Sequence, residues 1–160
     1  MITAVDTNIL LDILLKDPEF WKKSAELIDE HSAVGSLLIS QAVYTELLAF
    51  FLGNKQFKEP VSELDRFLRD FRIQVSGFSK EDLVLAAETW QKVSKADKVA
   101  CPKCGALNSF SCRKCNAPIL WRNHIITDFL IGAHAKNNAD VMLTRDRGYY
   151  KRYFTINLLP

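Results

Sequence analysis

The sequence predicts an α/β domain organised on a parallel sheet, and three observations carry that reading. Strand-like and helix-like segments alternate along the chain. The first strand-like stretch, Thr3-Ala4-Val5, has little polar character and no alternation, as expected of a central strand covered on both faces. It ends abruptly in the carboxylate of Asp6, and in open parallel sheets ligand sites form just beyond the carboxyl ends of the strands.

The elements follow in order. Ile9–Leu15 reads as an apolar helix directly after Asp6. Asp17-Pro18-Glu19 has the signature of a helix start, with an acid to cap, proline at the first helical position and a second acid near the positive dipole end; that helix is expected to reach about His31. Gly35–Ile39 is a second buried strand, and Ser40 caps the helix Gln41–Leu52. Pro60 opens another helix, with Val61, Leu64, Phe67, Leu68 and Phe71 on one face, before a third strand at Arg72–Val75. Ser79-Lys80-Glu81-Asp82 resembles a capping box ahead of a helix over Lys80–Lys95. After an interruption from Ala96 to Leu120 the helical pattern resumes from about His124 to Asn137. Val141–Leu143 and Phe154–Ile156 supply the last two strands.

One domain spanning 1–160 is the natural reading of 160 residues of which 48% are hydrophobic. No apolar run is long enough to cross a bilayer, and Asp6 interrupts the only early candidate for a signal peptide, so a soluble, cytoplasmic protein with no membrane partner is expected. Charge is unevenly distributed. Between Lys95 and His124, Lys95, Lys98, Lys103, Arg113, Lys114 and Arg122 face only Asp97, a net +5 that leaves −3 for the rest of a chain whose total is +2. A basic segment on an acidic body suits a polyanionic partner.

Four acids invite a common explanation. Asp6 follows the first strand, and Asp146 follows the strand Val141–Leu143 across Thr144-Arg145. Glu46 lies at the edge of the apolar face made by Val43, Tyr44, Leu47, Leu48, Phe50 and Phe51. Asp128 sits in a helix apolar on nearly every side and shares a stripe with Gly132 and Ala135, small residues expected to let another backbone approach. Taken singly, each acid could be a cap, a turn residue or a solvated helix edge. Together they would repel along one sheet rim unless some stayed protonated or a hard divalent cation, Mg²⁺ or Mn²⁺, lay between them.

The cysteines make a C-x2-C-x7-C-x2-C pattern from Cys101, Cys104, Cys112 and Cys115. Each pair can form a knuckle whose following residue needs left-handed backbone, and Gly105 and Asn116 tolerate it. Four thiolates make a closed tetrahedral zinc site of structural type, so residues 97–120 are read as an inserted zinc-binding ribbon. Two disulfides are the competing reading, disfavoured in an intracellular chain. Its basic residues Lys103, Arg113 and Lys114, and Arg122 just beyond it, with Phe110 and Trp121, are candidates for contacting phosphates and stacking on unpaired bases; a clamp between helices or a protein contact is the alternative. His31, His124 and His134 show no nucleophile–base arrangement, and His134 is expected to be structural.

At the four acids the chain resembles the PIN-domain nucleases. Val5-Asp6-Thr7-Asn8, Glu46 on the helix after the second strand, the stretch Asp128–Ala135 and the stretch Leu143–Tyr150 match the family's motifs, the last two especially those of VapC toxins of type II toxin–antitoxin pairs. The resemblance covers Met1 to about Leu159 apart from the cysteine insertion, which standard VapC toxins do not need. It implies a PIN-like α/β/α sandwich with a central parallel sheet, and a metal-dependent endoribonuclease whose Mg²⁺ or Mn²⁺ is held by Asp6, Glu46, Asp128 and Asp146. It makes Thr7, Asn8 and Thr144 candidates for holding those acids in place, with ordinary helix-start and turn roles as the alternative, and Arg145, Arg147, Lys151 and Arg152 candidates for RNA phosphates, with a solvated basic terminus as the alternative. It also implies a cognate antitoxin and a homodimer. A housekeeping RNA-processing nuclease, or a zinc-ribbon module that binds RNA or protein with little catalysis, stands as the alternative; PIN nucleases of ribosomal RNA processing also carry a ribbon, but after the catalytic domain.

Overall fold

The computed structural model describes residues 1–94, 99–100, 107–109, 111, 113–116 and 126–159. In chain order these form β1 (Ile2–Val5), α1 (Thr7–Leu15), α2 (Trp21–Val34), β2 (Ser36–Ser40), α3 (Gln41–Gly53), α4 (Pro60–Asp70), β3 (Ile73–Ser76), α5 (Lys80–Ser94), β4 (Val99–Ala100), β5 (Leu107–Asn108), α6 (Ile126–Asn138), β6 (Val141–Leu143), α7 (Arg147–Tyr153) and β7 (Asn157–Leu159).

Five strands make one sheet in the order β3-β2-β1-β6-β7, and every pairing in it is parallel. The chain moves outward from β1 through β2 to β3, then returns to the other side of β1 with β6 and β7. The strand order therefore reverses between β1 and β6, where Val5 lies beside Leu143. A crevice at the carboxyl ends of the two strands flanking such a reversal is where open α/β sheets bind ligands. The central strands are buried along their length because helices cover the sheet: Ala4, Val5, Leu37, Ile39, Met142 and Leu143 join Ile9, Leu10, Val43, Leu47, Phe51 and Phe129 in one core. The expected α/β fold with a central parallel sheet is the one observed.

Helix starts obey local hydrogen-bond chemistry. The Ser40 hydroxyl accepts the Val43 N–H at 3.3 Å and opens α3. At α5 the capping box is reciprocal: Ser79 N–H donates to Asp82 Oδ2 at 2.9 Å and Asp82 N–H to Ser79 Oγ at 3.1 Å. Asp82 also holds α5 to the end of α6, accepting from the side-chain amides of Asn137 at 2.8 Å and Asn138 at 3.1 Å. These two helices pack along one another, so α5 steadies the helix that carries Asp128.

Three sequence expectations are displaced. The helix assigned to begin at Pro18 begins at Trp21 and runs to Val34, because Asp17 Oδ1 is taken up by the N–H groups of Glu19 and Phe20, closing a turn first. The last strand is Asn157–Leu159 instead of Phe154–Ile156. Phe154 N–H still bonds back to Tyr150 at 2.8 Å, and its ring turns inward. That ring is also what occupies the space at Gly132: a Cβ there would stand 2.3 Å from Phe154, so the small residue admits an aromatic side chain where a second backbone was expected. The cysteine-rich segment falls mainly outside the described residues, including Cys101, Cys104, Cys112, Lys103, Arg122, Phe110, Trp121 and His124.

Candidate active site

Asp6 ends β1 and caps α1. Its N–H donates to Leu143 O at 3.0 Å, which ties it to β6, while its Oδ1 accepts the Thr7 N–H at 2.8 Å. Oδ2 accepts from the Asn8 amide and from the Thr144 hydroxyl, both at 2.6 Å. Thr144, fully buried at the end of β6, passes the constraint on by accepting the Asp146 N–H at 3.0 Å. The Thr7 hydroxyl donates to Glu46 Oε2, joining α1 to α3. Thr7, Asn8 and Thr144 thus hydrogen-bond acids or their backbone, fixing side-chain direction as well as position.

Asp6 and Asp128 feel the other acids. Burial pushes the Asp6 carboxyl up to about 6; hydrogen bonds from Thr144 and Thr7 oppose this, while the charges of Glu46 and Asp146 reinforce it. Asp128, in the first turn of α6, is pushed to about 7, first by burial and then by Asp6, Glu46 and Asp146. Among the described residues no three of these groups close around one point at coordinating distance. Burial and the neighbouring acids make Asp6 and Asp128 bind protons more readily than ordinary carboxyls. The donor set, all carboxylate oxygen, fits a hard divalent cation, whose charge would reverse both shifts.

The sign of the stability effect follows. A carboxyl whose folded pKa lies above its ordinary 3.8 binds more protons folded than unfolded, so its contribution to stability falls as pH rises from about 4 to 7. Asp128→Asn removes that repulsion. It is expected to raise the melting temperature of metal-free protein at pH 7.5 by about 2–8 °C, for about 1–2 kcal/mol after screening by water at its open side. Melting curves at pH 5 and pH 7.5 check this: the gain should shrink at the lower pH, and equal melting temperatures at pH 7.5 would refute it.

Two residues at the site escaped the sequence reading. Tyr150, on α7 one turn beyond Asp146, is buried, and its phenol is held well above its usual range by burial and by Asp6, Asp128, Glu46 and Asp146. Asp12 is buried on α1 and ion-paired to Arg145 at 2.9 Å. An acid within the apolar run Ile9–Leu15 was itself a signal of a buried partner. Lys151 and Arg152 lie exposed on α7, and Arg113 and Lys114 are exposed in the insertion. His134 is buried against the edge of Phe78, with Nε2 lacking a hydrogen-bond partner among the described residues.

Solved structures share this architecture over almost the whole chain. A chain of the VapBC2 complex from Rickettsia felis, solved bound to a DNA fragment from their promoter, is 23% identical with a TM-score of 0.64, covering 99% of this chain and 98% of its own. VapBC-1 from nontypeable Haemophilus influenzae gives 19% identity and a TM-score of 0.64 over 99% and 97%. FitAcB from Neisseria gonorrhoeae gives 17% and 0.65 over 100% and 97%. At these identities the likeness is one of fold. No curated protein matches the chain. The family model for the PIN domain matches residues 3–154, nearly the full length, and the chain belongs to the PIN domain family.

Proposed function

We propose that this protein is a metal-dependent endoribonuclease and the toxin of a type II toxin–antitoxin pair. PIN domains are nucleases and generally use divalent metals such as Mg²⁺ or Mn²⁺. The observation that carries the reading is that the sheet's reversal point gathers the acids: Asp6 ends β1 beside β6, Thr7 joins Glu46 to its helix, Thr144 bonds both Asp6 and the Asp146 N–H, and the charges of Asp6, Glu46 and Asp146 reach Asp128. Asp6, Glu46, Asp128 and Asp146 would hold the cation, which when bound lowers the pKa of a water and stabilises the leaving oxygen of a phosphodiester. Thr7, Asn8 and Thr144 keep Glu46 and Asp6 aimed. Arg147, Lys151 and Arg152 on α7, with Lys103, Arg113 and Lys114 of the insertion and Arg122 just after it, supply cations for the RNA backbone.

The neighbours' VapBC and FitAcB complexes support an antitoxin as partner, and a homodimer and a cytoplasmic location accompany that reading. No helix among the described residues is long and apolar enough to cross a membrane. Cleavage of structured RNAs by metal-free, Mg²⁺-loaded and Mn²⁺-loaded protein tests the proposal. Cleavage only with metal supports it; intact RNA in every state, with growth unaffected by expression in cells, would sink it.

The insertion is read as a structural zinc ribbon. Asn116, directly after Cys115, has φ of 58°, the left-handed backbone a metal knuckle requires. β4 and β5 pair antiparallel, Val99 beside Asn108 and Ala100 beside Leu107, and flank the first cysteine pair in sequence. Purified protein is expected to carry about one zinc per chain by elemental analysis. Cys101→Ser with Cys115→Ser should lose it, and wild-type protein with no zinc, or zinc retained by the double variant, would contradict the site.

A further inference from the structure

Arg145 lies between Thr144 and Asp146, where a basic residue invites a role in binding phosphate. Its guanidinium is engaged elsewhere. Nη2 lies 2.9 Å from Asp12 Oδ1, and the group sits 4.5 Å above the Phe20 ring. Asp12 is 2% exposed, and its other oxygen accepts the Ser24 hydroxyl at 2.7 Å, so both oxygens are used. The backbone of Arg145 is tied as well, its N–H donating to Asn8 Oδ1 at 3.2 Å.

Asn8 and Asp12 are four residues apart on α1 and therefore share a face. One turn of α1 takes the main chain of Arg145 and the next takes its side chain. The same Asn8 donates to Asp6 Oδ2 at 2.6 Å, so the clamp and the Asp6 carboxylate share a residue. A buried carboxylate with both oxygens satisfied is a rigid anchor, and the Phe20 ring keeps water from one face of the guanidinium.

We infer that Arg145 and Asp12 are positioning residues: their ion pair clamps the β6–α7 loop to α1, and so holds Thr144 and Asp146 in register with Asp6. This rests on the nuclease reading only for its consequence at the metal, because the clamp itself can be measured without it.

The test uses Arg145→Gln, Asp12→Asn and the double variant Asp12→Leu with Arg145→Met, which removes the pair without leaving a buried orphan charge. Hydrogen exchange at the Arg145 and Asp146 amides reads the clamp directly. Protection is expected to fall about tenfold or more in all three variants, with the α3 and α5 amides unchanged. Mn²⁺ titration of the full-length protein reads the consequence, with affinity expected to fall about 10–100-fold and kcat to drop while KM for RNA holds.

Direct phosphate binding by Arg145 predicts the opposite split: raised KM in Arg145→Gln, a salt slope smaller by about one, Mn²⁺ affinity unchanged and Asp12→Asn harmless. That pattern, or unchanged amide protection in the double variant, overturns the inference. Failure of the wild-type protein to bind Mn²⁺ or cleave RNA would instead overturn the nuclease reading, and the exchange data would still decide the clamp.

Discussion

Changing either Asp6 or Asp128 to asparagine is expected to slow metal-dependent RNA cleavage about a thousandfold. On the proposed reading, each substitution removes one anionic ligand from the four that would hold the cation. A cation at such a site contributes several kcal/mol of transition-state charge stabilisation, and each 1.4 kcal/mol is a factor of ten in rate. Asp128→Asn is the cleaner variant, because the amide keeps the shape and relieves the repulsion from Asp6, Glu46 and Asp146. At Asp6 the new amide would face donors from Asn8 and Thr144, so some local rearrangement accompanies the lost charge. Single-turnover rates at saturating metal check the expectation, and variants within tenfold of wild type would refute the carboxylate site. Loss of rate together with gain of metal-free stability in Asp128→Asn is the combined signature, since a merely damaged fold loses both.

The second large effect is on stability. Asp82→Ala should destabilise the protein by about 3–4 kcal/mol, lowering the melting temperature by roughly 10 °C. Asp82 is fully buried, and its carboxylate receives the Ser79 N–H and the amides of Asn137 and Asn138. Removing it uncaps α5 and leaves the side-chain amides of Asn137 and Asn138, at the end of α6, without their acceptor. Burial alone would raise its pKa, but the hydrogen bonds from Ser79, Asn137 and Asn138 outweigh that and hold it below the ordinary value. A carboxyl with a depressed folded pKa stabilises above its unfolded value of about 3.8 and loses that stabilisation as pH falls through the folded one. The gap between wild type and Asp82→Ala should therefore narrow below pH 4. Urea titrations at pH 7 and pH 3 measure it, and a gap under 1 kcal/mol at pH 7 would contradict the role given to Asp82.

Much of this was legible in the sequence because local chemistry and tertiary demand agree. Unbroken apolar stretches at Thr3–Val5 and Val141–Leu143 became central strands, and the Ser40 and Ser79–Asp82 caps lie where hydrogen-bonding side chains precede apolar runs. Where they disagree, distant packing decided. Phe154-Thr155-Ile156 has strand composition, but Phe154 is drawn over Gly132 and the strand forms three residues later. Asp17-Pro18 has the composition of a helix start, yet Asp17 closes a turn before α2 begins. At the site, Asp6 and Asp146 with their hydroxyl and amide partners were visible as residue types beyond strand ends, and Glu46 and Asp128 as acids on otherwise apolar helices. The buried partners Asp12 and Tyr150 were not, since a side chain's depth and the charges it faces are properties of the assembled core.

On the proposed reading, Asp6, Glu46, Asp128 and Asp146 form one divalent-cation site. Calorimetric titration of Mn²⁺ into metal-free, zinc-retaining protein at pH 6.5, repeated in two buffers of different ionisation enthalpy, tests it most directly. Because Asp6 and Asp128 hold protons near that pH, saturable binding should release about one proton per chain. Binding should weaken at least tenfold, with less proton release, in Asp6→Asn and Asp128→Asn. Mn²⁺ affinity and proton release unaltered in both variants, or no saturable binding to the wild-type protein, would contradict it.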